Sequence, residues 1–96
     1  MTKLVPIHPG EILQEEFLVP LGLSASRFAK MLGVPANRIT RILNGSSAIT
    51  ANTALLLAKA LRTTPEFWLN LQTRYDLQCA QDKNPNLDHI KPVIAA

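Results

Sequence analysis

Glycines and prolines cut this chain into short helical lengths, and that division constrains the fold more than any other feature. Pro9-Gly10, Pro20 to Gly22, Gly33, Gly45 and Pro65 interrupt the chain at intervals of ten to twenty residues. Between them the apolar residues keep helical spacing, and no strand pair appears. Five helices follow. The first starts at Pro9, which suits a first helical position. Its apolar residues Ile12, Leu13 and Phe17 leave Glu11, Gln14, Glu15 and Glu16 outside, and Pro20 and Gly22 stop it. The second takes Ser24 or Ser26 as its cap and runs through Phe28, Ala29 and Leu32 to Gly33, which accepts the positive φ of a tight turn.

The third helix runs from about Pro35 or Ala36 to Asn44, with Ile39, Ile42 and Leu43 as its buried stripe and Gly45 closing it. Thr50 caps a fourth, almost wholly apolar helix through Ala54, Leu55, Leu57, Ala58 and Leu61, which belongs in the middle of a small bundle. Thr64-Pro65-Glu66 opens a fifth with a cap, a proline at the first position and an acid in the first turn. Phe67, Trp68, Leu71 and Tyr75 fall along one side of it. From about Asp82 the pattern fails: Asn84-Pro85-Asn86 reads as a turn, and Ile90 to Ile94 is an apolar run broken by Pro92. The expectation is an all-α, five-helix domain over residues 1–81 and a tail over residues 82–96, irregular or serving as a dimer or partner arm.

Several function classes are excluded at this level. At 96 residues and 47% hydrophobic content the chain can bury one core. The lone Cys79 rules out an internal disulfide or a multi-cysteine zinc site and fits a reducing cytoplasm. The first residues lack the apolar run of a signal peptide, and no stretch approaches the roughly 20 apolar residues that span a bilayer. His8 and His89 have neither cysteines nor a carboxylate pattern beside them, so no metal or other cofactor is expected, and His8 serves the start of the first helix. Glu15 and Glu16 are adjacent and splay apart on a helix, and no nucleophile sits beside a base. The chain does not read as an enzyme. Trp68 and Tyr75 read as core or dimer contacts, and Cys79 as a small apolar residue.

The charge is informative through its distribution. Net charge is only +3, yet Arg27, Lys30, Arg38, Arg41, Lys59 and Arg62 all lie between Glu16 and Glu66, an interval without a single acid. Such a segment suits a phosphate-facing surface. It contains two helices joined at Gly33, the arrangement that lays its second helix in the DNA major groove. Ala29 stands one helical turn before Gly33 and lets the two axes approach. Phe28, Leu32, Val34, Ile39 and Ile42 form the wedge between them. With that wedge inward, Asn37, Thr40, Arg41 and Asn44 remain outside on the third helix, flanked by Ala36 and Arg38. Asn suits adenine, Arg suits guanine and a Thr methyl suits the thymine methyl. Ser26, Arg27, Ser46 and Ser47 fall at helix ends or in the following loop, where phosphates pass.

Ser24 to Gly45 resembles the helix-turn-helix of lambda-repressor-like (Xre-type) domains. A wider set of segments resembles HigA-type antitoxins of bacterial toxin–antitoxin modules: His8-Pro9-Gly10-Glu11-Ile12-Leu13, the Ala-Leu-Leu-Leu-Ala-Lys-Ala-Leu run within Thr50 to Leu61, and Thr64-Pro65-Glu66-Phe67-Trp68-Leu69-Asn70-Leu71-Gln72. The resemblance covers about Ile7 to Leu77, and the Pro-Glu-Phe-Trp-Leu-Asn-Leu-Gln segment is its most discriminating part. It implies a five-helix lambda-repressor-like fold and a homodimeric repressor of its own operon on palindromic, double-stranded operator DNA. It also implies a partner, a HigB-type toxin acting as a ribosome-associated mRNA endonuclease. Pro35-Ala36-Asn37 departs from relatives, which often begin this helix with Ser or Thr. Two other readings stay open from sequence: a solitary Xre-type repressor without a toxin, and a protein-interaction module not using DNA.

Overall fold

A computed structural model describes residues 5–94. Among these the chain forms five helices and no strand. α1 covers residues 9–21, α2 is Ala25–Leu32, α3 is Ala36–Leu43, α4 is Ala51–Leu61 and α5 is Pro65–Lys83. Among the described residues no helix is long and apolar enough to cross a membrane. Side-chain oxygens close most helix starts: Ser24 Oγ accepts from the Arg27 N–H at 3.1 Å and Thr64 Oγ1 from the Phe67 N–H at 3.1 Å. Of the two serines considered for α2, Ser24 is therefore the cap, because the side chain must lie outside the first turn to reach back to it. α2 ends as expected at Gly33, with φ 74°. The Val34 N–H donates to the Ala29 carbonyl at 3.0 Å and the Gly33 N–H to Lys30 at 3.2 Å. This paired closure satisfies carbonyls the helix would otherwise strand, and it needs a left-handed residue at that point.

α1 departs from the sequence expectation. Pro9–Ile12 is α-helical, Leu13–Leu18 widens to a π register, and Val19–Leu21 closes the rod. The wider turn brings residues five apart onto one side, which places Leu13 and Leu18 together in the core, both wholly buried. Pro20 does not stop the helix. It sits within the last turn, and Gly22, at φ 65°, makes the break. The widened ladder immediately precedes Pro20, whose ring can neither donate nor tolerate a carbonyl four residues back.

The core gathers Leu13, Leu18, Phe28, Ala29, Ile39, Ile42, Ile49, Ala54, Leu57 and Trp68. Trp68 is fully buried, packs on Phe17 and Phe67 with ring centroids 5.4 and 5.0 Å away, and donates its indole N–H to Thr63 Oγ1 at 2.7 Å. Its expected core role stands. α4 is less central than its composition suggested. Thr53, Ala54, Leu57 and Ala58 are buried, but Leu55 is 59% exposed. In a bundle this small one flank of that helix has nothing left to cover it. Beyond α5 the chain is irregular. Its turn falls at 87–90, where the Ile90 N–H donates to the Leu87 carbonyl, rather than at Asn84-Pro85-Asn86.

A candidate nucleic-acid interface

α2 and α3 pack through Phe28, Ala29, Ile39 and Ile42, each about 1% exposed. That fixes which side of α3 faces out. Ala36, Asn37, Thr40 and Arg41 are exposed on α3, Asn44 and Ser46 just beyond it, and Ser26 and Arg27 at the start of α2. Most of the residues singled out from sequence are thus exposed on or beside α2 and α3, with no acid among them. Thr40 turns its hydroxyl back to the Ala36 carbonyl at 3.1 Å. That settles the hydroxyl locally and leaves the methyl as the group presented outward.

Arg38 and Asn44 are placed differently from their neighbours. Arg38 is half-buried, and its Nη2 donates to Thr53 Oγ1 of α4 at 2.9 Å. Asn44 Oδ1 accepts from the Ser46 N–H at 3.0 Å and also from the Ser46 hydroxyl. Its carboxamide oxygen therefore shapes the loop after α3. In the same loop the Ser46 and Ser47 N–H groups donate to the Arg41 carbonyl at 2.8 and 3.1 Å. These two backbone donors, like the Ser46 hydroxyl, already have partners within the loop. A cleft of about 270 Å³ runs between α3 and the start of α4, lined by Asn37, Arg38, Arg41, Ser47, Thr50 and Thr53 among others.

Three residues that sequence reasoning did not place near this surface hold it in position. A Cβ on Gly10 would overlap the Ile42 carbonyl oxygen, so only glycine lets α1 press on the end of α3. His8 caps α1, its Nδ1 accepting from the Gly10 N–H at 2.9 Å, as expected for a helix start. The same ring faces the Ser47 backbone and meets the Tyr75 ring edge-on at 4.9 Å. Burial holds the His8 pKa below its ordinary value, outweighing the Ser47 backbone and the Asp76 carboxylate, which pull it upward. The neutral ring is also what the cap requires, since Nδ1 must accept. Gln72, buried on α5, accepts from the Ile49 N–H at 2.7 Å and donates to Asp76 Oδ1 at 2.9 Å. A glutamine inside an apolar helix face was the one available signal for such a tie. Among the described residues no cluster suits a metal ion.

The family model described as "Helix-turn-helix" matches residues 14–68, more than half of the chain. An uncharacterized helix-turn-helix-type transcriptional regulator of Haemophilus influenzae is 49% identical, over 98% of this chain and 91% of its own length. A Coxiella burnetii addiction module antidote protein of a HigA family is 52% identical, with a TM-score of 0.86 over 93% of this chain and 99% of that one. The antitoxin HigA of Pseudomonas aeruginosa, solved with the higBA promoter, is 36% identical, with a TM-score of 0.89 over 94% of this chain and all of that one. His8, Gly10 and Gln72 lie outside the span of the family model but inside what the full-length relatives share in fold. With five helices and the α2–turn–α3 geometry already in place, the chain belongs to the helix-turn-helix family, among its HigA-type antitoxins.

Proposed function

We propose that this chain is a cytoplasmic, non-enzymatic antitoxin that binds double-stranded operator DNA as a homodimer, represses its own toxin–antitoxin operon and neutralises a HigB-type mRNA endonuclease. The observation that carries the DNA-binding part is the acid-free outer side of α3, exposed at Asn37, Thr40 and Arg41 on a helix that buries Ile39 and Ile42 and half-buries Leu43 on its inner side. The Pseudomonas aeruginosa relative solved with its promoter supports the same reading. In this arrangement α3 lies in the major groove, with Asn37, Thr40 and Arg41 at base edges and Ala36 allowing close approach. Ser26, Arg27, Ser46 and Ser47 flank the phosphates, while Arg38 and Asn44 border the same surface. Residues 1–81 act as the DNA-binding domain and residues 82–96 as an arm toward a partner. A dimer serving two half-sites places its reading helices about 34 Å apart.

Fluorescence anisotropy on a fragment of the chain's own promoter tests the DNA-binding role. Arg41→Ala weakens binding, and the salt dependence becomes shallower by about one if Arg41 meets a phosphate. Unaltered affinity and slope would overturn the assigned face. Co-purification of a small basic protein encoded beside the gene tests the toxin role. Its absence, with promoter binding intact, would leave a solitary repressor.

A further inference from the structure

The apolar contacts between α2 and α3 hold the helices together but give little direction. Dispersion and hydrophobic burial tolerate small slides and rotations, whereas a hydrogen bond to a fixed acceptor does not. α3 is only eight residues long, so two turns carry its whole alignment. Arg38 supplies a directional tie. Its guanidinium reaches fifteen residues along the chain to Thr53 Oγ1, on a threonine only 3% exposed. Thr53 is itself held, because its oxygen lies 3.1 Å from the Thr50 hydroxyl that caps α4, and its N–H donates to that hydroxyl at 3.3 Å. Cap, acceptor and arginine form one chain from the start of α4 to the middle of α3. Asn37 and Arg41 stand on either side of Arg38 along the helix and line the same cleft.

We propose that Arg38 is a positioning residue: through Thr53 it holds α3 in register with α4, so discrimination of the operator depends on Arg38 without its touching a base. The inference rests on the DNA-binding reading above and replaces the direct contact expected for Arg38 from sequence. Base-edge hydrogen bonds have narrow geometry, so a small slide of α3 costs specific binding more than it costs phosphate attraction. A charge that met a phosphate directly would instead weaken binding evenly across sequences and flatten the salt dependence.

The test compares the operator fragment with an unrelated duplex of equal length, by anisotropy at several salt concentrations. Wild type, Arg38→Met, Thr53→Val, the double variant and Thr53→Ser are measured. Thr53→Val removes the acceptor and leaves every charge in place. It should lose about tenfold on the operator, as expected for a bond to a charged donor, keep its affinity for unrelated DNA and keep the wild-type salt slope. Arg38→Met should show the same loss, the double variant no more than either single one, and Thr53→Ser near-complete recovery. Should Thr53→Val fail to fold, Arg38→Met carries the comparison, since its half-exposed position keeps the core intact. Operator affinity unchanged in Thr53→Val would overturn the inference. So would additive losses, or a salt slope shallower by about one in Arg38→Met alone. If the wild type itself shows no salt-sensitive operator binding, the DNA-binding reading fails with it. A wild type that binds normally beside an indifferent Thr53→Val overturns the positioning role only.

Discussion

The surroundings of α3 and the rear of α5 are built in opposite ways. Around α3, beyond its apolar packing on α2, the neighbours are tied by a directed bond or a close approach: Gly10 under Ile42, His8 on Ser47, Gln72 on Ile49, Arg38 on Thr53. Past Gln72, apolar side chains lie open. Leu77 is 57% exposed, Leu87 53% and Ile90 61%, and Leu77, Ala80 and Leu87 line a largely apolar cleft. The difference separates two requirements. A surface meeting a rigid, regularly spaced partner needs its backbone held still, and directed polar ties do that. A surface that buries itself against another protein needs apolar area and shape, which open leucines offer.

The sharpest way to break this contrast is at Gly10. Gly10→Ala places a methyl group on the Ile42 carbonyl and should cost about 3 kcal/mol, the upper range for overpacking a filled site. Chemical denaturation measures it, and a loss below half a kilocalorie would mean α1 does not pin α3. Gln72→Met is expected to cost about 2 kcal/mol, because the buried Ile49 N–H loses its acceptor. Faster hydrogen exchange at Ile49 than at the amides of α2 would locate the damage in the loop after α3.

His8 gives a pH version of the same test. Its folded pKa lies below the unfolded value of 6.5, so between the two the unfolded chain binds more protons. The His8 contribution is therefore full above pH 6.5 and declines as pH falls through the lowered value. The wild-type urea midpoint should drop from pH 7.5 to pH 5.5. His8→Asn keeps a capping side chain without a titrating ring and should show a flatter profile. Equal slopes would remove His8 from the tie. The smallest effect on fold stability belongs to the open side. Leu77→Ser with Leu87→Ser should shift monomer stability by no more than about 0.5 kcal/mol, as for other surface changes. Sedimentation at micromolar concentration should nevertheless show weaker self-association. A stable dimer in that variant, and in a chain ending at Gln81, would move the dimer contact elsewhere.

Helix positions were legible because caps and stops are local chemistry. Ser24, Thr50 and Thr64 bond to backbone three residues on, and Gly33 needs only its own freedom at φ. The outer side of α3 was legible for the same reason, since Ile39 and Ile42 announce the inner side by spacing. What escaped were roles set by contact. The π register of α1 depends on how Leu13 and Leu18 meet the core, and spacing with Pro20 in view suggested only a stop. Arg38 and Arg41 look alike in sequence, yet one is tied to Thr53 and the other stands open.

By itself, then, the sequence determined five helices, an inward wedge between α2 and α3, an acid-free outer side and the family. The helices and the wedge follow from hydrogen bonds and periodicities that span about four residues, the acid-free side from composition, and the family from the resemblance of the segments around them. Only the tertiary structure decided that Gly10 is a contact rather than a turn, that His8 and Gln72 clasp the loop after α3, and that Arg38 aims at α4. Those partners stand fifteen to forty residues apart, and only the packed core brings them within bonding distance.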